Sequence, residues 1–447
     1  MRIIIAGAGN VGFHLAKMLS HEAKDIVLID TDQERLAYAE AHIDVMTLRG
    51  NSTSPSVLQD ASISSSDLLI AVTSAETTNI ATAIMGKQLG AARTIARISN
   101  PELLTCQDQI DFHSLGIDNL ISPEQLAADE IERLLSNSGL SERADFGDGE
   151  LVLIGLHLTS KAPIIKKSVA EAAQEFPNLR FMPVAILRNN RTIIPRGGTE
   201  FKLGDLVYFI TSPDSVEDMV SLSGKTTHEI RNIMILGGSK IGLNTATKMS
   251  TRFNVKLVEM NKQRAFDLAD RLPHTLVIHG DGTNVELLEE EDIASMDAFI
   301  AVTGNSETNI MSCLVAKAQG VEKTIALVEN IDYINVSQTI GIDTMINKKL
   351  IAASNIFRFV REGEVVNLAN ISGIVEAEVL EFEAREGAKI TRKPIKKLSF
   401  PDKAIIGGVV RDGQGMTVLG NFQIQPKDRV VIFSLPDAIS KVESLFK

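Results

Sequence analysis

A chain of 447 residues, 44% hydrophobic and 23% charged, has the make-up of a water-soluble globular protein and the length of about three domains. Its net charge of −12 argues against a nucleic-acid groove and against a polybasic membrane anchor. Its two cysteines, Cys106 and Cys313, match no metal spacing and are expected as buried thiols in a reducing cytoplasm. No apolar run is long enough to cross a membrane, and the first strand begins at once, with no signal peptide. A cytoplasmic protein follows, one that reaches a membrane only through a partner and without inserting.

Arg2 to Ala6 (RIIIA) is a short β-branched run that meets Gly7-Ala8-Gly9-Asn10-Val11-Gly12. An amphipathic stretch through Leu15, Met18 and Leu19 follows, which reads as strand, glycine turn and helix. A second apolar run, Ile26 to Ile29, ends on Asp30, 23 positions beyond Gly7 (30 minus 7), where a dinucleotide fingerprint asks for an acid about 20 residues on. Gly7 permits the sharp turn, Gly9 lets the backbone approach a pyrophosphate, and Gly12 lets helix and strand pack closely. The phosphates would sit on free N–H groups at the helix N-terminus, with Gly7, Ala8, Gly9, Asn10 and Val11 as the candidate binding residues. Asp30 can accept ribose hydroxyls and would repel a 2′-phosphate, which favours NAD or an adenine nucleotide over NADP. The competing reading is a degenerate turn that binds nothing.

Further strands are expected at Asp44–Leu48, Leu68–Thr73, Thr94–Ile98 and Asn119–Ile121, completing a six-stranded parallel sheet. Ligands of such sheets bind beyond the carboxyl ends of the strands. Asn51 would therefore face the adenine, and Thr73 and Ser74 the phosphate or second ribose. Arg97 could give a phosphate two donors, or form a surface salt bridge. A helix over Glu124–Asn137, apolar at Leu126, Ile131, Leu134 and Leu135, leaves the sheet, and Ser136-Asn137-Ser138-Gly139 ends it. A small α+β module follows, with strands at Leu151–Leu158 and Met182–Arg188, a helix at Ser168–Gln174 and a terminal strand at Asp205–Ile210.

At Arg231 the pattern begins again. Gly7 to Gly12 aligns with Gly237-Gly238-Ser239-Lys240-Ile241-Gly242 at an offset of 230 (237 minus 7), and the offset holds for Asn51 against Asp281, Thr73 against Thr303 and Asn79 against Asn309. Only Glu259, the partner of Asp30, slips by one. Strands at Val375–Phe382, Ala404–Arg411 and Asp428–Phe433 repeat the module, and Gly204-Asp205 and Lys427-Asp428 mark the same turn. The fold class is α/β, with two tandem doubly wound Rossmann-like sheets, each followed by a small α+β C-terminal module. The boundaries fall at 1–138, 139–225, 229–366 and 367–447. The second candidate site comprises Gly237, Gly238, Ser239, Lys240, Ile241, Glu259, Asp281 and Thr303. Ser239 crowds the pyrophosphate path and Leu327 replaces Arg97, whereas Glu259 keeps a ribose acceptor and Lys240 adds positive charge. Nucleotide binding and degeneracy both stay open there.

The eight histidines (His14, His21, His42, His113, His157, His228, His274 and His279) share no equivalent positions, and no HExxH, GxSxG, CxxC or Walker A sequence occurs. A catalytic constellation and a resident metal are therefore not expected. A sensor, whose nucleotide is an effector, competes with an NAD-dependent oxidoreductase, whose nucleotide is consumed.

The segments MRIIIAGAGNVG, VLIDTD, RGN at Arg49–Asn51, DLLIAVTSAETTN and TIARI, echoed in the second half, resemble the RCK (regulator of potassium conductance, or KTN) domain family over essentially the whole chain. The resemblance implies a peripheral subunit at the inner face of the cell membrane that binds NAD(H) or ATP/ADP as effectors beneath a membrane potassium transporter. It also implies that Asn51, Thr73, Ser74 and Arg97 line the nucleotide pocket. A ring would form through later Rossmann helices, with Ile80, Ile84 and Leu126–Leu135 as apolar surface. An eight-unit ring would need four chains, a homotetramer.

Overall fold

The structure, a computed structural model, describes residues 1–20, 25–100, 102–106, 109–135, 140–177, 179–189, 191–224, 230–330, 333, 340–361, 367–370 and 377–447. The turn expected at 136–139 and the start of the strand expected from Val375 lie outside the described residues.

The first sheet contains β1 (Arg2–Ala6), β2 (Asp25–Asp30), β3 (Met46–Arg49), β4 (Leu68–Ala71), β5 (Arg93–Arg97) and β6 (Asn119–Ile121), in the order β3-β2-β1-β4-β5-β6. Its recorded pairings are all parallel. Helices cover both faces, so the central strand is continuously apolar and Ile3, Ile4 and Ile5 are fully buried. The order reverses between β1 and β4, which brings Gly7 and Thr73 side by side at the carboxyl ends. β4 stops two residues before its expected end at Thr73, whose amide donates to the Asn79 side chain (2.8 Å).

The next sheet is antiparallel: β7 (Glu142–Phe146), β8 (Leu151–His157), β9 (Phe181–Arg188), β10 (Arg191–Ile193) and β11 (Leu206–Thr211), in the order β10-β9-β11-β8-β7. Ser168 caps the helix Val169–Glu175 through a capping box with Glu171. Contrary to the expectation, β11 is not terminal, because the helix Val216–Leu222 follows it. At the turn into β11, Arg188 grips the buried Asp205 with two bonds of 2.7 Å.

The second half repeats both sheets. β12 (Asn232–Leu236), β13 (Asn254–Glu259), β14 (Thr275–His279), β15 (Ala298–Ala301), β16 (Lys323–Leu327) and β17 (Thr344–Ile346) lie in the order β14-β13-β12-β15-β16-β17. β18 (Asn367–Asn370), β19 (Glu378–Glu383), β20 (Ala404–Arg411), β21 (Gln414–Met416) and β22 (Arg429–Ser434) lie in the order β18-β19-β22-β20-β21, the antiparallel topology of the first module. Arg411 grips Asp428 as Arg188 grips Asp205, at 2.8 and 2.7 Å. Lys427 takes the left-handed backbone (φ 72°) that Gly204 takes at the matching turn (φ 81°).

By contacts the chain divides into two compact units: Met1–Glu130 with Ser239–Thr245 and Ile346–Arg361, and Ile131–Gly238 with Ala246–Met345 and Glu362–Lys447. In the first, the helix Lys348–Arg361 from the second half packs on the helix Asn10–Ser20, and the Arg93 guanidinium donates to the Phe359 carbonyl (2.9 Å). In the second, the two modules share one core, where Phe146, Leu153 and Tyr208 meet Val379, Val410 and Phe433. Arg429 ties that junction by bonding the fully buried Glu381 and, at 2.6 Å, Asp148. The two halves also meet within the second unit, where Lys248 pairs with Glu132 at 3.4 Å and Lys323 donates to the Leu140 carbonyl at 3.1 Å.

One expectation is thereby corrected. Ala127, Ala128, Ile131, Leu134 and Leu135 are buried within one chain, so the apolar face expected to join ring neighbours is already covered. Ile80, Ile84 and Leu126 are only half-buried.

Candidate functional site

Gly7 adopts φ +111° with its Cα hydrogens against the Thr73 backbone, where a Cβ would come within 2.9 Å of the Thr73 nitrogen. A Cβ on Gly12 would lie 1.8 Å from the Gly7 carbonyl oxygen, so Gly12 is fixed by the turn itself as well as by strand contact. Gly9 differs: a Cβ there would meet only the Arg35 guanidinium, at 3.9 Å. Open space thus lies over the start of the helix Asn10–Ser20, where N–H groups without intrahelical partners favour an anion.

Asp30 holds the turn in place. Its Oδ2 accepts the Ala8 amide (2.6 Å) and its Oδ1 the Asp32 amide (2.9 Å), and each oxygen keeps a lone pair for a hydroxyl. Asn51 forms a local turn, its Oδ1 accepting the Thr53 amide (3.0 Å) and hydroxyl (2.9 Å). The Thr73 hydroxyl lies 2.7 Å from Asn79 Oδ1, which leaves the exposed Ser74 as the freer hydroxyl beyond β4. Arg97 is half-buried and stands 3.6 Å from Glu124, so the salt-bridge reading of this side chain is realised, with Glu124 at the start of the helix Pro123–Leu135.

Asn79 is the residue whose role the sequence reading missed. It is buried, accepts from the Thr73 amide and hydroxyl, and donates to the Thr73 and Arg97 carbonyls (3.1 and 2.9 Å), stapling the ends of β4 and β5 beside the turn. Its signal was present: Thr78-Asn79 recurs as Thr308-Asn309, and Asn309 makes the same four bonds, to Thr303 and to the Leu327 carbonyl.

In the second half, Gly237 repeats the strained backbone (φ +104°) against Thr303. Glu259 accepts the Gly238 amide (2.8 Å) and the Asn261 amide (2.7 Å), as Asp30 does in the first. The one-residue slip therefore arises before β13, and Asp30 and Glu259 are structurally equivalent. Gly238 stands where the first turn has Ala8, and a Cβ there would meet the Leu268 Cδ1 methyl at 2.2 Å, so an alanine would need Leu268 to shift. Ser239 does more than crowd a phosphate path: its hydroxyl accepts the Gly242 amide (3.2 Å) and caps the helix Lys240–Met249. The Lys240 ammonium lies 3.4 Å from the Ser99 carbonyl, and Ile241 is buried. Asp281 repeats the Asn51 turn with Thr283, whose amide and hydroxyl hold its carboxyl below the usual range and keep it charged.

Cys313 is buried, and burial pushes its thiol up to about 12, while Cys106 is only half-buried, contrary to the expectation of two buried thiols. Among the described residues no His, Cys, Asp and Glu cluster has metal-holding geometry, and no helix is long and apolar enough to cross a membrane.

The TrkA-N domain matches residues 3–123 and 233–348, and the TrkA-C domain matches 153–224 and 379–447. The chain belongs to the TrkA family of Trk system potassium uptake proteins. The family member from Azorhizobium caulinodans is 33% identical, covering 100% of this chain and 99% of its own. A homologue from the archaeon Methanosarcina mazei is 32% identical with full coverage of both. The fold is also that of the GsuK RCK domain (TM-score 0.60, 14% identity, covering 100% of this chain and 94% of that one) and of the GsuK channel bound to NAD (TM-score 0.61, 14% identity, 100% and 78%). The tandem RCK architecture expected from the sequence is thus the observed one.

Proposed function

We propose that this TrkA-family chain is the nucleotide-sensing regulatory subunit of a potassium uptake system, controlling a TrkH-type membrane transporter from its cytoplasmic side as a homotetrameric ring. The observation that carries the reading is the first turn, where Gly9 leaves the helix amides open and Asp30 stands ready for a ribose. Gly9, Asn10 and Val11 would take the phosphates, since the Gly7 amide is held by the Ile29 carbonyl and the Ala8 amide by Asp30, so these two residues shape the turn instead; Asp30 would take the ribose, Asn51 the adenine and Ser74 the phosphate or second ribose. NAD(H) and ATP/ADP are the effectors, in keeping with the GsuK channel, which has been solved with NAD and with ADP. Control requires that the nucleotide bind two ring states with different affinity, because equal affinity shifts nothing. The chain is read as a sensor that consumes no nucleotide.

Gly9→Val tests this reading. A Cβ at this position meets only the Arg35 guanidinium, at 3.9 Å, and the branched side chain would fill the space left for phosphates. The variant should assemble with the reconstituted transporter and lose nucleotide-dependent potassium flux. Normal gating would remove the first turn as the control site. Calorimetric titration of NAD, NADH, ATP and ADP identifies the ligand, and steady NADH oxidation would instead mark an enzyme.

A further inference from the structure

The whole-chain charge of −12 conceals one strongly basic surface. From Gly387 to Pro401, between β19 and β20, the sequence holds Lys389, Arg392, Lys393, Lys396 and Lys397 and no acidic residue. All five are exposed. Arg392 reaches back to the Gly387 carbonyl (3.0 Å), which leaves its positive charge uncompensated, and among the described residues the four lysines make no ion pair. This is a folded surface. Two 3-10 turns, Lys389–Thr391 and Ile395–Lys397, are anchored by the fully buried Ile390. The Ile395 and Lys396 amides bond the Phe422 and Gly420 carbonyls (2.9 and 2.8 Å). The connection from β21 to β22 that carries Gly420 and Phe422 also carries Leu419, which is 75% exposed, the most of any large apolar residue among the described residues.

The first module took another course. Its matching connection between β8 and β9 carries the capped helix Val169–Glu175, where Lys167 pairs with Glu175 and Glu171 closes the cap. The basic surface therefore belongs to one copy of the module and is no requirement of the fold.

We propose that Lys389, Arg392, Lys393, Lys396 and Lys397, with Leu419 beside them, form a docking surface for an anionic phospholipid bilayer. Clustered cations gain affinity from the negative surface potential of a membrane, and a neighbouring exposed apolar side chain can enter the interface that the cations approach. An exposed leucine among unpaired cations has no such use against a purely polar partner, which favours lipid over an acidic protein face. The surface would hold the subunit at the membrane beside its transporter, independently of any nucleotide.

The test is co-sedimentation of the full chain with vesicles of phosphatidylcholine, alone or mixed with phosphatidylglycerol. The expected result is binding to the mixed vesicles only, lost at high salt, and weakened by about tenfold or more in the variant Lys393→Glu/Lys396→Glu/Lys397→Glu. Leu419→Ser should weaken it less. These residues are exposed, so circular dichroism should report unchanged folding. Equal sedimentation of wild type and variant, or no preference for the anionic lipid, overturns the proposal. So does a wild type that ignores vesicles while the variant loses the detergent-solubilised transporter, which would assign the surface to protein.

Discussion

In the first half, Asp30 ties back the Ala8 amide and Gly9 leaves the helix N-terminus uncovered; in the second, Glu259 ties back the Gly238 amide and Ser239 covers the helix with its own hydroxyl. The bonds that shape the turns are duplicated, down to Asn79 and Asn309 clamping the neighbouring strand ends. The side chains facing the expected ligand have diverged: Gly9 to Ser239, Asn51 to the charged Asp281, Arg97 to Leu327. After duplication, a group serving the sheet cannot change without cost to the fold, whereas a group serving a ligand is free once the other copy binds it.

Four comparisons, made with seven substitutions, can break or sharpen this contrast. The largest effect is expected from Arg429→Met, which strands the buried Glu381 carboxylate; loss of one member of a buried pair costs about 3 to 5 kcal/mol, read as a lower urea midpoint of unfolding. The first half has Leu206 at the equivalent register and no such pair, so Leu206→Met should shift the midpoint little. Next, Asn79→Ala and Asn309→Ala should destabilise by similar amounts, about 2 to 3 kcal/mol each, because each orphans a buried strand-end carbonyl. Clearly unequal losses would show that the shared bonds are not equivalent.

Asp30→Ala should weaken nucleotide binding by about 1.5 to 3 kcal/mol, the range for hydrogen bonds to a charged group, and Glu259→Ala should leave that binding unchanged. Calorimetry on both variants decides which turn holds the ligand. The smallest effect belongs to Ser239→Gly, which removes a helix cap at a cost of a few tenths of a kcal/mol and uncovers the Gly242 amide. A second binding event per chain, absent from the wild type, is the expected gain.

Much of this was legible in the residues. The apolar runs gave strand positions to within a few residues, and the 230-residue offset exposed the duplication. The slip at Glu259 is a shorter connection ahead of β13, invisible until strand register is known. Ser239 was read for the bulk of its Cβ. Its hydroxyl stands three residues before Gly242, the spacing of a helix cap, so that role could have been found in the sequence. The edge strands β7 and β10 and the helix Val216–Leu222 were passed over because short elements carry little periodicity. The stripe on the helix Pro123–Leu135 announced a buried face, but periodicity names no cover, and the corresponding stripe of Lys348–Arg361 is met by a helix more than 300 residues earlier.

That exchanged helix has a consequence for how the protein behaves on dilution. A chain with one such half could hide the apolar side of its first helix only by borrowing a helix from another molecule, and its folding would depend on how many molecules were present. With both halves on one polypeptide, the borrowed helix is always at hand, at the high effective concentration of a tethered group. The packing of Lys348–Arg361 on Asn10–Ser20 therefore does not depend on protein concentration. Cutting the chain between its halves would restore the dependence on concentration that the duplication removed.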